Sequence, residues 1–416
     1  MVRAEVGTAN RWTGTIALIA GGIFYQVSFS NLAIVLPAAS ASLHLSGASR
    51  GIAVAAFALG AAALFIPSGF LSVRFGTRRT LLIGLVMAGV AGVFSALSRD
   101  LSELALLRAV GGAGCALFYA PAVGLLAAQY PAPRRTLVIG LFASLSIAVG
   151  ATIGFLAGAY IDLAFGWRVV LATGGAGTLA TAAACVVLVP SQPGFADTGG
   201  TSADLAQRQR RLGEVLRSGM VWGLALGIAG FTTAAFLAPA FLSAYVTAVH
   251  PSWGIVYAGT VAPIAFVASV PGALAGGRWS EAGTDRRTLL GMIVILFGGL
   301  FLLIPLANEI ELALLFAVLG FLFGAGLAIA LTMPSFLPTT TGERTPLAVG
   351  VLESSTGFVR FGGSIAFSAI QLSAGYSWSW GVAGLLALGT TPLLLIVPPN
   401  RQAPRPERAE GNPPSF

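Results

Sequence analysis

The sequence predicts an all-α membrane protein with twelve transmembrane helices, arranged as two pseudo-symmetric bundles of six. Apolar residues make up 56% of the 416 residues and charged residues only 9%, with a mean hydropathy of +0.87. Soluble globular domains contain about 25% charged residues because their surfaces face water. A chain of this length with so little charge is therefore predicted to expose most of its surface to lipid.

Twelve apolar stretches are long enough to cross a bilayer, which takes about 20 residues in a helix. They start near residues 13, 50, 80, 103, 136 and 168, and again near 219, 255, 288, 311, 346 and 379. The longest polar stretch between them separates the chain into parts. We predict an N-terminal bundle over 1–190, a cytoplasmic linker over 191–218, a C-terminal bundle over 219–397 and a disordered tail over 398–416.

The arginines predict how the chain lies in the membrane. All 23 basic residues are arginine, and the net charge is +8. With a cytoplasmic N-terminus, 18 arginines fall on the cytoplasmic side and only Arg50, Arg99 and Arg168 fall outside. Cytoplasmic loops carry such an excess of basic residues. We therefore predict a multi-pass plasma-membrane protein with both termini in the cytoplasm, and we interpret the positive charge as a topology signal rather than as a nucleic-acid site.

Two segments of the first half recur in the second half. The stretch 76–82 recurs at 283–290 with one insertion, and 103–110 recurs at 311–318, at a shared offset of 208 residues. Two matches in one register indicate parallel internal repeats.

Two motifs carry a family resemblance. The loop between the second and third spans reads Gly-Phe-Leu-Ser-Val-Arg-Phe-Gly-Thr-Arg-Arg over 69–79, and the fourth span contains Leu104, Arg108, Gly112, Gly114 and Ala116 at regular spacing. Both patterns, with the six-plus-six repeat, resemble the major facilitator superfamily over nearly the whole chain. The resemblance implies the fold of that superfamily and secondary transport of a small solute by alternating access.

The loop motif departs from the family pattern at one position. Val73 stands where the family has an aspartate, which in family members helps to latch the cytoplasmic gate. Glu281, in the matching loop of the second half, is a candidate replacement. The residues predicted to form the gate are Gly69, Arg74, Gly76, Arg78, Arg79, Glu281, Arg286 and Arg287. The alternative is that these arginines only anchor the loops at the headgroups.

Three charged residues fall inside predicted spans: Arg108 in the fourth, and Glu353 and Arg360 in the eleventh. Charges at such positions are costly and are functional candidates by default. Two guanidinium groups beside one cavity suit a carboxylate-like anion, and Glu353 is the candidate proton carrier. The alternatives are that Glu353 is a counter-ion for an arginine and that Arg108 has a structural or gating role.

Further polar residues in the predicted spans are candidates for orienting a solute or for helix contacts. They are Tyr25, Gln26, Asn31, Tyr119, Tyr245, Ser354 and Thr356. The sequence contains no phosphate-binding loop, no metal-ligand spacing and no catalytic constellation. We therefore predict neither an enzyme nor a cofactor or metal site.

The sequence thus favours a monomeric transporter for proton-coupled uptake or exchange of a small organic anion. One alternative is a proton-driven exporter of hydrophobic compounds. The fifth span has the spacing Gly150, Gly154 and Gly158, which permits close helix contact, but it lacks the proline that exporters of the superfamily often carry there. The other alternative is a transporter-like receptor or scaffold without flux.

Overall fold

The computed structural model describes residues 8–130, 132–189, 214–281, 285–333 and 345–399, and these are almost entirely helical. The helices of the first half are α1 (Thr8–Ile34), α2 (Leu36–Ser42), α3 (Ala48–Phe75), α4 (Thr77–Ser95), α5 (Leu101–Gln129), α6 (Ala132–Thr152), α7 (Gly158–Phe165) and α8 (Trp167–Leu188). Those of the second half are α9 (Gly219–Val249), α10 (Gly254–Glu281), α11 (Arg286–Phe301), α12 (Glu309–Thr332), α13 (Thr345–Ala374) and α14 (Tyr376–Thr390).

Twelve spans cross the membrane, as predicted. In the described part of the chain, eleven segments are both long and apolar enough by composition, and α6, a π-helical turn over Ile153–Ala157 and α7 together form one of them. The twelfth is α13, which has 30 residues but also contains Glu353, Arg360 and several serines. Its lower apolarity is typical of a helix that faces other protein or a cavity along much of its length. The predicted linker and tail lie mainly outside the described residues.

The internal repeat is visible in how equivalent helices begin. Asp100 accepts the backbone N–H of Glu103 at the start of α5, and Asn308 accepts that of Glu311 at the start of α12, 208 residues later. Each glutamate side chain in turn accepts a backbone N–H at or just before the cap. Hydrogen bonds from the Ser102 hydroxyl and the Glu103 N–H hold the pKa of the exposed Asp100 carboxyl below its usual value. The same capping device therefore starts the same helix in both halves.

Glycines allow equivalent helix pairs to touch backbone to backbone. A Cβ on Gly112 would lie 1.9 Å from the Phe57 carbonyl oxygen, and a Cβ on Gly320 would lie 2.0 Å from that of Ala265. The first contact joins α3 to α5, and the second joins α10 to α12. Such close approach replaces the hydrophobic effect as the main source of helix association in lipid.

The two halves meet along three helix pairs. Gly51 of α3 packs on the backbone of Ser364 in α13, and the Ser243 hydroxyl of α9 donates to the Ala33 carbonyl of α1. Gly259 of α10 packs against the segment containing Phe155. The first two contacts lie near the end where α1 is followed by α2, so the halves are closed together at that end, which the arginine distribution predicts to be external.

The glycines of the fifth span pack against α1, as their spacing predicts. Added Cβ atoms on Gly150 and Gly154 would lie 2.5 Å from the Ile23 carbonyl oxygen and 2.1 Å from the Ser30 hydroxyl. The π-helical turn begins directly before Gly154. This packing brings the Phe155 side chain to the space between the halves.

Candidate functional site

A central cavity of about 280 Å³ lies between the two halves. Its walls come from both halves, and aromatic rings dominate them. The ten aromatic residues that line it are Tyr25, Phe29, Phe65, Tyr119, Phe155, Phe236, Phe266, Phe297, Phe316 and Phe323. The charged residues that line it are Arg108, Glu353 and Arg360. The cavity is therefore a mostly apolar space with a small number of placed charges, which is the usual composition of a small-molecule site.

Helix α13 brings Glu353 and Arg360 to the cavity. They are seven residues apart and lie on one face of the helix with Gly357, which also lines the cavity. Both side chains are partly buried, and the Arg360 Nε is buried without a hydrogen-bond partner. Within the described parts of the chain neither side chain forms an ion pair. A cation and an acid are thus available on the same wall, separated by about 10 Å along the helix axis.

The first half contributes polar groups opposite this wall. The Tyr25 and Tyr119 rings lie 5.9 Å apart between centroids, and both line the cavity together with Gln26. Glu353 and Arg360 of the second half line the same cavity as these two tyrosines. Two tyrosines of one half therefore face the charged residues of the other half.

Arg108 borders the cavity, but its guanidinium group forms hydrogen bonds within the first half. It donates to the carbonyl oxygens of Ser28 and Phe29 on α1 and to Asn31 Oδ1, the last two at 3.0 and 3.3 Å. The guanidinium carbon lies 4.6 Å from the centroid of the Phe57 ring, and the side chain is only 5% exposed. Arg108 thus braces α5 against α1, which agrees with the structural role given as its alternative, and solute contact by Arg108 or Arg360 stays a prediction.

Four predicted contact residues do not line the cavity. The Asn31 side chain accepts a hydrogen bond from Arg108. Tyr245 packs against the rings of Tyr376 and Trp380 and shares a hydrogen bond of 3.3 Å with His250.

Ser354 and Thr356 are buried beside the cavity-facing stripe of α13, and the Thr356 hydroxyl donates to the Glu353 carbonyl at 3.1 Å. The Ser354 hydroxyl is buried without a hydrogen-bond partner among the described residues, so a role of either residue in orienting a solute stays a prediction.

The aromatic wall was not predicted from the sequence. Phe29 of α1 and Phe236 of α9 lie 5.5 Å apart between centroids, and Phe155 and Phe266 stack at 6.1 Å with an interplanar angle of 24°. Each pair joins the two halves beside the cavity. The abundance of 26 phenylalanines was the only sequence signal, and it does not separate rings that face lipid from rings that face a solute.

Two arginines of the predicted gate form hydrogen bonds within their own half. Arg78 donates to the Val186 carbonyl at the end of α8, and Arg287 donates to the Val397 carbonyl at 3.2 Å, beyond α14. These are equivalent contacts in the two halves. Both arginines thus fix their loops to a neighbouring helix of the same half, and neither a gate nor anchoring at the headgroups is tested by these contacts.

The remaining residues of the loop motif have varied surroundings. Gly76 has φ = 89°, a conformation that favours glycine and lets α3 turn directly into α4. Gly69 has open space at its Cβ position. Arg74 lies over the Phe75 ring, Arg79 is exposed and Arg286 is buried. The side chains of Glu281 and Val73 lie outside the described residues, so a latch at Glu281 stays a prediction.

Two repeated helical bundles around a central cavity are the architecture of many secondary membrane transporters. Residues 18–341 match the family model of the Major Facilitator Superfamily, and the chain belongs to that superfamily. This membership agrees with the sequence-based expectation of a transporter.

The names of curated relatives indicate different functions. The chain is 27% identical over 298 residues to a tetracenomycin C resistance and export protein from Streptomyces glaucescens, covering 70% of this chain and 51% of that one. It is 44% identical over 72 residues to monocarboxylate transporter 11 from Homo sapiens, covering 17% of this chain and 15% of the human protein. The chain thus aligns with about half or less of the length of these relatives.

Solved structures agree on the fold. The xylose transporter XylE from E. coli, in a partially occluded inward-open conformation, matches with a TM-score of 0.73 over 95% of this chain and 100% of that chain. A bacterial homologue of the human lysosomal transporter Spinster matches with a TM-score of 0.71 over 94% of this chain and 96% of that chain. Both are 17% identical to this chain, so the likeness extends to the fold alone.

Proposed function

We propose that this protein is a secondary transporter of a small organic anion, in which Arg360 binds the anionic group and Glu353 carries a coupling proton. The observation that carries the proposal is Arg360 itself. Its guanidinium group borders the central cavity, and it has no acidic partner among the described residues. An unpaired cation in a membrane interior is costly. A carboxylate solute would compensate it through two parallel charge-assisted hydrogen bonds.

Glu353 is placed to connect anion binding with a proton. It lies on the same wall, outside direct reach of Arg360, and faces Tyr25 and Tyr119 of the other half. Protonation of Glu353 removes a negative charge from the cavity that receives the anion. Proton binding and anion binding would therefore favour each other, which is the requirement for coupled movement.

The proposal is tested by counterflow in proteoliposomes with a panel of small carboxylates and dyes at two external pH values. Accumulation of labelled carboxylate against an unlabelled internal pool, increased at the lower external pH, would support the proposal. Binding without counterflow would instead indicate a receptor or scaffold.

Export of hydrophobic compounds is the second candidate, supported by the aromatic wall of the cavity and by similarity to named resistance proteins. The two candidate functions differ in whether transport requires a negative charge on the solute and the positive charge of Arg360. An exporter of neutral compounds would move uncharged dyes, and its activity would survive neutralisation of Arg360. An anion transporter would not move the uncharged analogue of its substrate.

A further inference from the structure

Among the described residues that line the cavity, one positive charge is uncommitted. Arg108 already donates to two carbonyl groups of α1 and to Asn31, and it is only 5% exposed. Arg360 is then the remaining cation among the described residues that line the cavity. Glu353 on the same wall adds a negative charge when it is ionised. A solute with one carboxylate fits this balance, whereas a second carboxylate would be buried without a partner, which is costly.

The rest of the site is adapted to flat apolar groups. Rings from both halves line the space, and the pairs Phe29–Phe236 and Phe155–Phe266 are in contact beside it, with centroid distances of 5.5 and 6.1 Å. Aromatic rings at such separations attract each other beyond the effect of burying their area. An aromatic ring packed against these side chains in the cavity would gain contacts of the same kind, whereas a short aliphatic chain would cover less of their surface.

The volume of the central cavity limits the size of the solute. Sites for drug-sized ligands occupy about 300–1,000 Å³, and this cavity, at about 280 Å³, lies at the lower limit. It accommodates a compound of one or two rings rather than a large polycyclic one.

Resting on the proposed function, we infer that the substrate class is an aromatic monocarboxylate, with its carboxylate on Arg360 and its ring packed in the cavity against the aromatic side chains that line it. Phe236 is the residue we expect to determine the preference for the ring. It lies on α9, opposite Phe29, at the boundary between the halves.

Competition in the counterflow assay tests this class with four defined compounds. They are 2-naphthoate, its uncharged amide 2-naphthamide, the dianion 2,6-naphthalenedicarboxylate and the short aliphatic acid propionate. We expect 2-naphthoate to compete at least 10-fold more strongly than each of the other three. Phe236→Leu should remove most of its advantage over propionate. The matched control Phe358→Leu changes a ring that is 52% exposed on the outer surface of α13 and should leave the order unchanged.

The outcomes separate the two proposals. If carboxylates exchange but 2-naphthoate has no advantage over propionate, or if the dianion competes equally well, the aromatic monocarboxylate class is overturned while anion transport stands. If Phe236→Leu behaves like Phe358→Leu, the assigned role of Phe236 is overturned. If no carboxylate competes or exchanges, the proposed function itself fails.

Discussion

Glu353 and Arg360 lie seven residues apart on one face of α13, and both side chains line the central cavity without pairing with each other. A separation of about 10 Å along the helix axis places them beyond salt-bridge distance if both extend toward the cavity. The Glu353 carboxyl group and the Arg360 guanidinium group can therefore bind different ligands. This arrangement underlies the assignment of the anion to Arg360 and of the proton to Glu353.

Glu353→Gln is expected to uncouple transport from the proton gradient. Glutamine resembles the protonated carboxyl group, so anion exchange should persist while uptake driven by an inward proton gradient falls at least 10-fold. Driven uptake and counterflow are measured on the same proteoliposomes. The control is Glu309→Gln, at an exposed position in the first turn of α12. Gradient-driven uptake equal to that of the unmodified protein would exclude Glu353 as the proton carrier.

Arg108→Lys and Arg360→Lys should differ in their effect on substrate affinity. Lysine keeps the charge but loses the planar donor pair of the guanidinium group. Because Arg108 is committed to α1, its replacement should change the apparent affinity for the anion by less than about 3-fold, although the transport rate falls. Arg360→Lys should weaken the affinity by about 10-fold, equivalent to about 1.4 kcal/mol. Equal losses of affinity in both variants would show that Arg108 also contacts the solute.

Gly112→Ala is expected to destabilise the first half. The added methyl group would lie 1.9 Å from the Phe57 carbonyl oxygen, so α3 and α5 would have to separate, at a cost of about 1–3 kcal/mol. On the same helix, Gly124 has no atom within 4 Å of its Cβ position. Gly124→Ala should therefore be neutral or slightly stabilising. Thermal unfolding in detergent compares the two, and equal melting temperatures would contradict the predicted backbone contact.

Much of the fold could be predicted because lipid imposes a simple pattern on the sequence. A span must be long and apolar, so eleven of the twelve helices are recognisable by composition alone. The offset of 208 residues marks the repeat, and the caps at Asp100 and Asn308 show the same offset in three dimensions. The π-helical turn over Ile153–Ala157 and the short helix α2 were not predicted, since local packing against α1 and the end of the bundle determines them.

The site was predicted only in part, for a physical reason. Glu353 and Arg360 are conspicuous because a charge inside a span is rare, and the structure places both at the cavity. Asn31 and Tyr245 look equally suited in the sequence, yet Arg108 and an aromatic cluster occupy them. Phe29 and Phe236 gave no signal, because phenylalanine is favourable both in lipid and beside a solute. Only the packing of the two halves distinguishes these environments.

The central claim is that Arg360 binds the anionic group of the solute, and counterflow of a labelled carboxylate by Arg360→Gln tests it most directly. Arg99→Gln, at an exposed position just before α5, is the matched control. Removing a hydrogen-bonded charged partner costs about 1.5–3 kcal/mol. We therefore expect the apparent affinity of Arg360→Gln to fall about 10- to 100-fold, with Arg99→Gln unchanged. Carboxylate counterflow by Arg360→Gln with the affinity of the unmodified protein would contradict the claim.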